Sequence, residues 1–131
     1  MESVFEQMLR GEKSACFLVQ NEEQAAILEP NPCAPGHTVI FPKKRTDAVL
    51  DLTPEALARL MLFAQSVGHA LRAALPCDKI ALVAYGLKVR HAHVHLIPVR
   101  GTAGEIALDK PRPAADPVVL QDLARQIQAH L

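Results

Sequence analysis

His91-Ala92-His93-Val94-His95-Leu96 places three imidazoles at every second residue. Successive side chains on a β-strand point to opposite faces. His91, His93 and His95 therefore share one face, while Ala92, Val94 and Leu96 turn to the other, into a core. The run closes at Pro98, which donates no N–H to a ladder and suits a strand end. Half of the chain's six histidines fall in this stretch. Three readings compete. The plainest is a half-buried strand with a histidine face, although crowded imidazoles disfavour one another's protonation. The second is a metal site, which would recruit a further ligand and carboxylates to orient the rings. The third is a histidine nucleophile whose neighbours orient it and offset phosphate charge.

The rest of the chain frames this run as part of one globular domain spanning 1–131. With 131 residues, half of them hydrophobic, a sizeable core is available. Fourteen basic residues balance fourteen acidic ones, so no basic patch points to nucleic acid. No apolar run reaches the length of a membrane span, and Met1-Glu2-Ser3 lacks the basic start and apolar stretch of a signal peptide. A cytoplasmic chain without a membrane partner is expected. Cys16, Cys33 and Cys77 are odd in number and follow no spacing pattern, as reduced thiols do.

Periodicity predicts the elements. Val4, Phe5, Met8 and Leu9 share a helical face within 2–10, and Gly11 is a stop. Ala15–Gln20 and Gln24–Glu29 form a hairpin. Pro30–Gly36 is a loop, and His37–Phe41 is a third strand closed by Pro42. Thr53 caps a helix with Pro54 at its first position and Glu55 in its first turn. Leu57, Leu60, Met61, Ala64, Val67, Gly68, Leu71 and Leu75 form its apolar stripe. His69 lies just off that stripe, as a structural or exposed residue. Ile80–Tyr85 and Arg90–Val99 are the last strands. Gly101–Pro113 is a connector, and Asp116-Pro117 opens a final helix with Leu120, Leu123, Ile127 and Leu131 inward and His130 solvated at its end. Strands, a long helix and more strands predict an α+β domain with an antiparallel sheet.

The stretch from Ile80 to Pro98, centred on Tyr85-Gly86-Leu87-Lys88-Val89-Arg90-His91-Ala92-His93-Val94-His95-Leu96-Ile97, resembles the active-site hairpin of the histidine-triad (HIT) nucleotide hydrolases and transferases. Their motif is His-φ-His-φ-His-φ-φ, with φ apolar, and the match is complete. Glu29-Pro30-Asn31-Pro32-Cys33-Ala34-Pro35-Gly36-His37, running on to Pro42-Lys43-Lys44-Arg45, resembles the family's ribose-binding acid, its fourth histidine and the strand after it. Phe5 and Leu9-Arg10-Gly11-Glu12 resemble its opening helix and turn. The resemblance covers roughly residues 4–100, leaving 101–131 as connector and C-terminal helix.

This resemblance implies a HIT-like fold with a five-stranded antiparallel sheet, a long central helix, and N- and C-terminal helices, paired as a homodimer into ten strands. It implies attack by an imidazole nitrogen on the α-phosphorus of a purine nucleotide: a phosphoramidate, an adenylate or a dinucleoside polyphosphate. A covalent nucleotidyl-histidine forms, and water releases the nucleoside monophosphate. By match to the motif His93 is the nucleophile, oriented by a backbone carbonyl. His95 donates to a phosphoryl oxygen, and His91 pairs with His37 behind the site. Glu29 binds the ribose hydroxyls, and Phe5, Met8, Ile27 and Leu28 form the purine pocket. No cofactor or metal is expected, and the N-terminal Cys-x-x-Cys pair that binds structural zinc in some relatives is absent. Histidine at position 95, where transferase relatives carry Gln, suits a hydrolase. The loop before the triad departs from the family, with no Asn and with Lys88 in place of a serine. On an unbroken strand Lys88 and Arg90 would share the face of Ala92, away from the histidines. A turn at Gly86 is expected to bring Lys88 to the leaving group. The alternative reading is a nucleotide-binding or interaction module with little turnover.

Overall fold

The helices start where a side chain accepts an otherwise unpaired backbone N–H. Ser3 accepts from Glu6 N while the Glu6 carboxylate takes the Ser3 N–H, a reciprocal box that opens α1 (Val4–Leu9). Thr53 accepts from Ala56 N ahead of α2 (Pro54–Ala74), and Asp116 from Val118 N ahead of α3 (Pro117–Gln128). Both of these helices carry proline in the first turn, where no intrahelical N–H is lost. The computed structural model describes residues 1–131, apart from the side chain of Ala103. Among the described residues no helix is long and apolar enough to cross a membrane.

Five strands make one antiparallel sheet: β1 (Cys16–Gln20), β2 (Gln24–Leu28), β3 (Thr38–Pro42), β4 (Lys79–Val83) and β5 (Val94–Val99), in the order β1-β2-β3-β5-β4. The α+β class and the five-stranded sheet are as expected from the sequence. Two-residue alternation gives the sheet two apolar faces. Leu18, Ala26, Leu28, Ile40, Val94 and Leu96 meet Leu60, Ala64, Val67 and Leu71 of α2 and Ala124 and Ile127 of α3. Ala25, Ile27, Val39 and Phe41 face the other side, where α1 brings Phe5 and Met8. Each such side chain, once buried, contributes about 1.5–3 kcal/mol, so most of the core free energy lies on the α2–α3 face. The α1 face is covered only in part, which leaves room for a site.

Several boundaries differ from the sequence reading. The last strand begins at Val94, not Arg90. Its pairing with β3 ends at Ile40↔Val94. Ahead of Val94, Ala92 N donates to Thr46 O at 2.6 Å, and the Pro42 carbonyl accepts from the His91 side chain. These bonds replace a ladder that Pro42, lacking an N–H, has no donor to extend. Pro98 lies inside β5, opposite Ile80. Pairing with β3 has already ended at Thr38↔Leu96, so beyond it β5 is an edge and proline is tolerated. The fourth strand stops at Val83, short of Tyr85. Leu131 is exposed rather than inward, while His69 and His130 are exposed.

Gly36 fixes the approach to His37. Its φ is +89°, and an added Cβ would lie 2.3 Å from Leu75 Cδ1 and 3.2 Å from Pro98 Cγ. Gly11 has a similar φ of +75° but open space around it. Gly36→Ala is expected to cost ~3 kcal/mol of stability, backbone strain and overlap together, against ~1 kcal/mol for Gly11→Ala from strain alone. Urea denaturation of both variants checks this. Equal losses would show that the contact with Leu75 does not matter.

Candidate active site

The α1-facing side of the sheet collects four buried histidines, His37, His91, His93 and His95. Backbone partners set their tautomers. His93 Nδ1 donates to the His91 carbonyl at 2.7 Å, so in the neutral ring Nε2 carries a bare lone pair. His91 Nε2 donates to the Pro42 carbonyl at 2.7 Å, which leaves its Nδ1 to accept from Ser3 Oγ at 2.6 Å. The Cys33 N–H donates to His37 Nδ1 at 3.0 Å, so the His37 proton sits on Nε2. That N–H points to His95 Nδ1, also 3.0 Å away. His95 then holds its own proton on Nε2. The set thus presents one lone pair, on His93, beside one donor, on His95.

Burial keeps these rings neutral. It pushes His37 down to about 3 and His95 down to about 4, and neighbouring imidazoles and Arg112 push the same way. Burial also lowers His91 and His93, opposed in each case by the bond to a backbone carbonyl. Aromatic rings wall the cluster. Phe5 stacks on Phe41 with centroids 4.4 Å apart and meets His93 edge-on at 5.1 Å. Tyr85 lies nearly parallel to His95 at 6.0 Å.

In front of His93 and His95 opens a cavity of about 290 Å³. It brings together Phe5, Met8, Ile27, Glu29 and Lys88, all singled out in the sequence, with Val39, Tyr85, Leu108 and Arg112. A larger groove of about 360 Å³ runs between α2 and β4 but holds none of the triad. Glu29 sits just past β2, where its N–H donates to the His37 carbonyl at 2.9 Å. Burial pushes its carboxyl up, against the pull of Arg112. Gly86 takes a φ of +66°, and the chain after it turns Lys88 toward the cavity, where Nζ lies 3.4 Å from the Leu108 carbonyl.

Two expectations are corrected. Leu28 does not join Ile27 in the pocket. Adjacent strand residues face opposite ways, and Leu28 packs under α2 instead. His37 pairs with His95, not with His91, because both ring nitrogens of His91 are taken by Ser3 and Pro42. Sequence reasoning passed over Ser3, Val39, Tyr85, Leu108 and Arg112. The Ser3-x-x-Glu6 box signals the first, and alternation from His37 signals the second. Nothing local marks Arg112, which arrives from the segment before α3. Among the described residues no three His, Cys, Asp or Glu side chains converge in a way that would hold a metal ion.

The HIT domain profile matches residues 10–102. An uncharacterised HIT-like protein of Mycobacterium tuberculosis is 32% identical over 105 residues, 76% of this chain and 73% of its own. The adenylylsulfatase HINT3 of Arabidopsis thaliana is 28% identical over 100 residues, 72% of this chain and 51% of its own. The crystal structure of a hypothetical histidine triad nucleotide-binding protein from Sulfolobus tokodaii superposes with a TM-score of 0.85 at 28% identity, covering 96% of this chain and 89% of that one.

The lowered proton affinity of the four imidazoles has a sign in stability. Unfolded, each binds a proton near pH 6.5; folded, each waits for lower pH. Where only the unfolded state is protonated, stability falls with falling pH. This contribution is complete above about pH 6.5 and is lost on the way down to about pH 4 for His95 and about pH 3 for His37. Denaturation midpoints should therefore drop across that window, and His37→Asn should make the drop shallower by up to about 1.4 kcal/mol per pH unit. An unchanged slope would mean that His37 titrates normally in the folded chain.

Proposed function

The chain belongs to the HIT family, and on that premise we propose that it is a nucleotide hydrolase acting at the α-phosphorus through a covalent nucleotidyl-His93. The observation that carries this reading is the 2.7 Å bond from His93 Nδ1 to the His91 carbonyl. It leaves Nε2 as a lone pair at a cavity that also holds a carboxylate, cations and an apolar slot. In the first step Nε2 attacks phosphorus, an N–P bond forms, and the bond to the leaving group breaks. The His95 Nε2–H, fixed in place by the His37 bond, supports a phosphoryl oxygen or the departing atom. Water then attacks phosphorus and releases a proton to solvent, the N–P electron pair returns to Nε2, and the nucleoside monophosphate leaves. One hard displacement becomes two easier ones. A desolvated, neutral imidazole is the form that attacks.

Phe5, Met8, Ile27 and Val39 offer a flat apolar slot for a purine, and Glu29 accepts from the ribose hydroxyls. Lys88 stands by the leaving group and favours an anionic one, which fits the adenylylsulfatase activity that the Arabidopsis relative's name carries. The substituted loop around Lys88 is the feature that favours the second reading, a nucleotide-binding module with slow turnover.

Pairing is part of the same reading. β4 is a sheet edge with Leu82 half exposed on it, and Leu62 of α2 is also exposed. Two chains joined there would make a ten-stranded sheet and cover an edge that otherwise invites aggregation. Light scattering is expected to give the mass of two chains; a monomer at micromolar concentration would contradict it. The three free thiols Cys16, Cys33 and Cys77 support a cytoplasmic setting.

His93→Ala removes the proposed nucleophile. It should lower kcat/KM by at least ~10³-fold, about 4 kcal/mol of barrier, on whichever of adenosine phosphoramidate, aminoacyl-adenylate and diadenosine triphosphate the wild type cleaves. AMP binding should stay within a few fold. A variant that keeps a tenth of wild-type activity would overturn the mechanism, and a wild type that cleaves none of the panel would leave the binding-module reading standing.

A further inference from the structure

Arg112 sits in no recognised motif, yet the fold holds it firmly. Its Nε donates to the Asn31 carbonyl at 2.6 Å, and its Nη1 to the Ala107 carbonyl at 2.8 Å and the Lys110 carbonyl at 3.3 Å. Asn31 returns a bond from Nδ2 to the Arg112 carbonyl at 3.0 Å, and Ala115 N donates to the Pro30 carbonyl at 2.9 Å. The segment ahead of α3 is thus stitched to the turn that follows Glu29. The Arg112 side chain is only 15% exposed, and the remaining nitrogen, Nη2, lies 3.8 Å from Glu29 Oε1.

That spacing is informative. At 3.8 Å the guanidinium and carboxylate attract strongly in a partly desolvated pocket, but they form no tight hydrogen bond. The guanidinium therefore favours the charged carboxylate without closing on its lone pairs. Two vicinal hydroxyls need just that: both donate, and both need an acceptor. A protonated acid would lose one acceptor site. Glu29 is 21% exposed at its side chain; burial pushes its carboxyl up, and Arg112 and then the Asn31 N–H oppose that push. Lys13 and Lys88 also line the cavity, but both are exposed, where solvent screens their charge.

We propose that Arg112 is a positioning residue for sugar recognition: clamped to the turn after Glu29, it sets a fixed positive charge beside that carboxylate without closing on it, leaving its oxygens to accept from both the 2′- and 3′-hydroxyls of a ribonucleotide. The inference rests on the reading of Glu29 as the ribose acid. It makes the segment before α3 part of the nucleotide site and gives the chain a means of preferring ribonucleotides over 2′-deoxyribonucleotides.

The test is calorimetric binding of AMP and 2′-deoxy-AMP to the full chain and to four variants: Glu29→Gln, Arg112→Met, Arg112→Lys and the double variant Glu29→Gln/Arg112→Met. Wild type is expected to favour AMP. Arg112→Met should weaken AMP about 10-fold and 2′-deoxy-AMP much less, the loss of a charge-assisted contact confined to the extra hydroxyl. Arg112→Lys should restore most of the preference, because it restores charge. The double variant should bind AMP no worse than Glu29→Gln alone, since both changes remove one interaction. If Glu29→Gln lowers the preference while Arg112→Met weakens both nucleotides equally, Arg112 does not act through Glu29 and the proposal falls. If wild type shows no preference, or Glu29→Gln leaves it intact, the ribose reading itself fails and the proposal with it. Should Arg112→Met not fold, Arg112→Gln, which keeps donors without charge, gives the same comparison.

Discussion

A single hydrogen bond, 2.7 Å from His93 Nδ1 to the His91 carbonyl, divides one imidazole between structure and chemistry. It places the proton on the nitrogen that faces the backbone and bares the one that faces the cavity. The bond is local, two residues apart in the chain, yet it depends on distant parts. The His91 carbonyl is free to accept because the residues ahead of Val94 leave the sheet ladder. They leave it where β3 runs out at Pro42, and they are held beside it by the bonds from His91 to Pro42 and from Ala92 to Thr46. A strand continued through His91 would have spent that carbonyl on a neighbour.

The same economy governs the other rings. Every ring nitrogen of His37 and His91 has a partner, so neither is free to attack or to bind a ligand. Their work is positional. Ser3 opens α1 and accepts from Glu6 N, and its hydroxyl meets His91, so the capping of a helix also fixes a histidine. The cost of burying four neutral imidazoles is offset by these bonds, as it must be for polar groups removed from water. The two faces of the sheet share the labour. The α2–α3 face supplies most of the packing, and the α1 face, less fully covered, holds the cavity.

Much of this was legible in the chain. Alternation across His91–Leu96 foretold which side chains turn inward, and Val94 and Leu96 do lie in the core. The segment from Glu29 to His37 carries Glu29 and His37 to the α1 side. The strand end was not legible, because it depends on where β3 runs out of N–H donors. Nor was the His37–His95 pair, since tautomers are set by backbone groups such as the Cys33 N–H, whose place no pattern reveals. Leu28 was misplaced by a resemblance that alternation alone would have corrected. Arg112 was invisible, because its meaning comes from 81 residues of separation closed by the bonds to Asn31.

The central claim is that His93 Nε2 becomes bonded to phosphorus. The direct measurement is intact-protein and peptide mass spectrometry after rapid quenching of the wild type during turnover of a nucleotide substrate, under alkaline conditions that preserve a phosphoramidate. The account predicts one added nucleoside monophosphate on the peptide that contains His93, located on that residue, forming and decaying at rates that match turnover. Turnover without an adduct, or an adduct on His91 or His95, would contradict it.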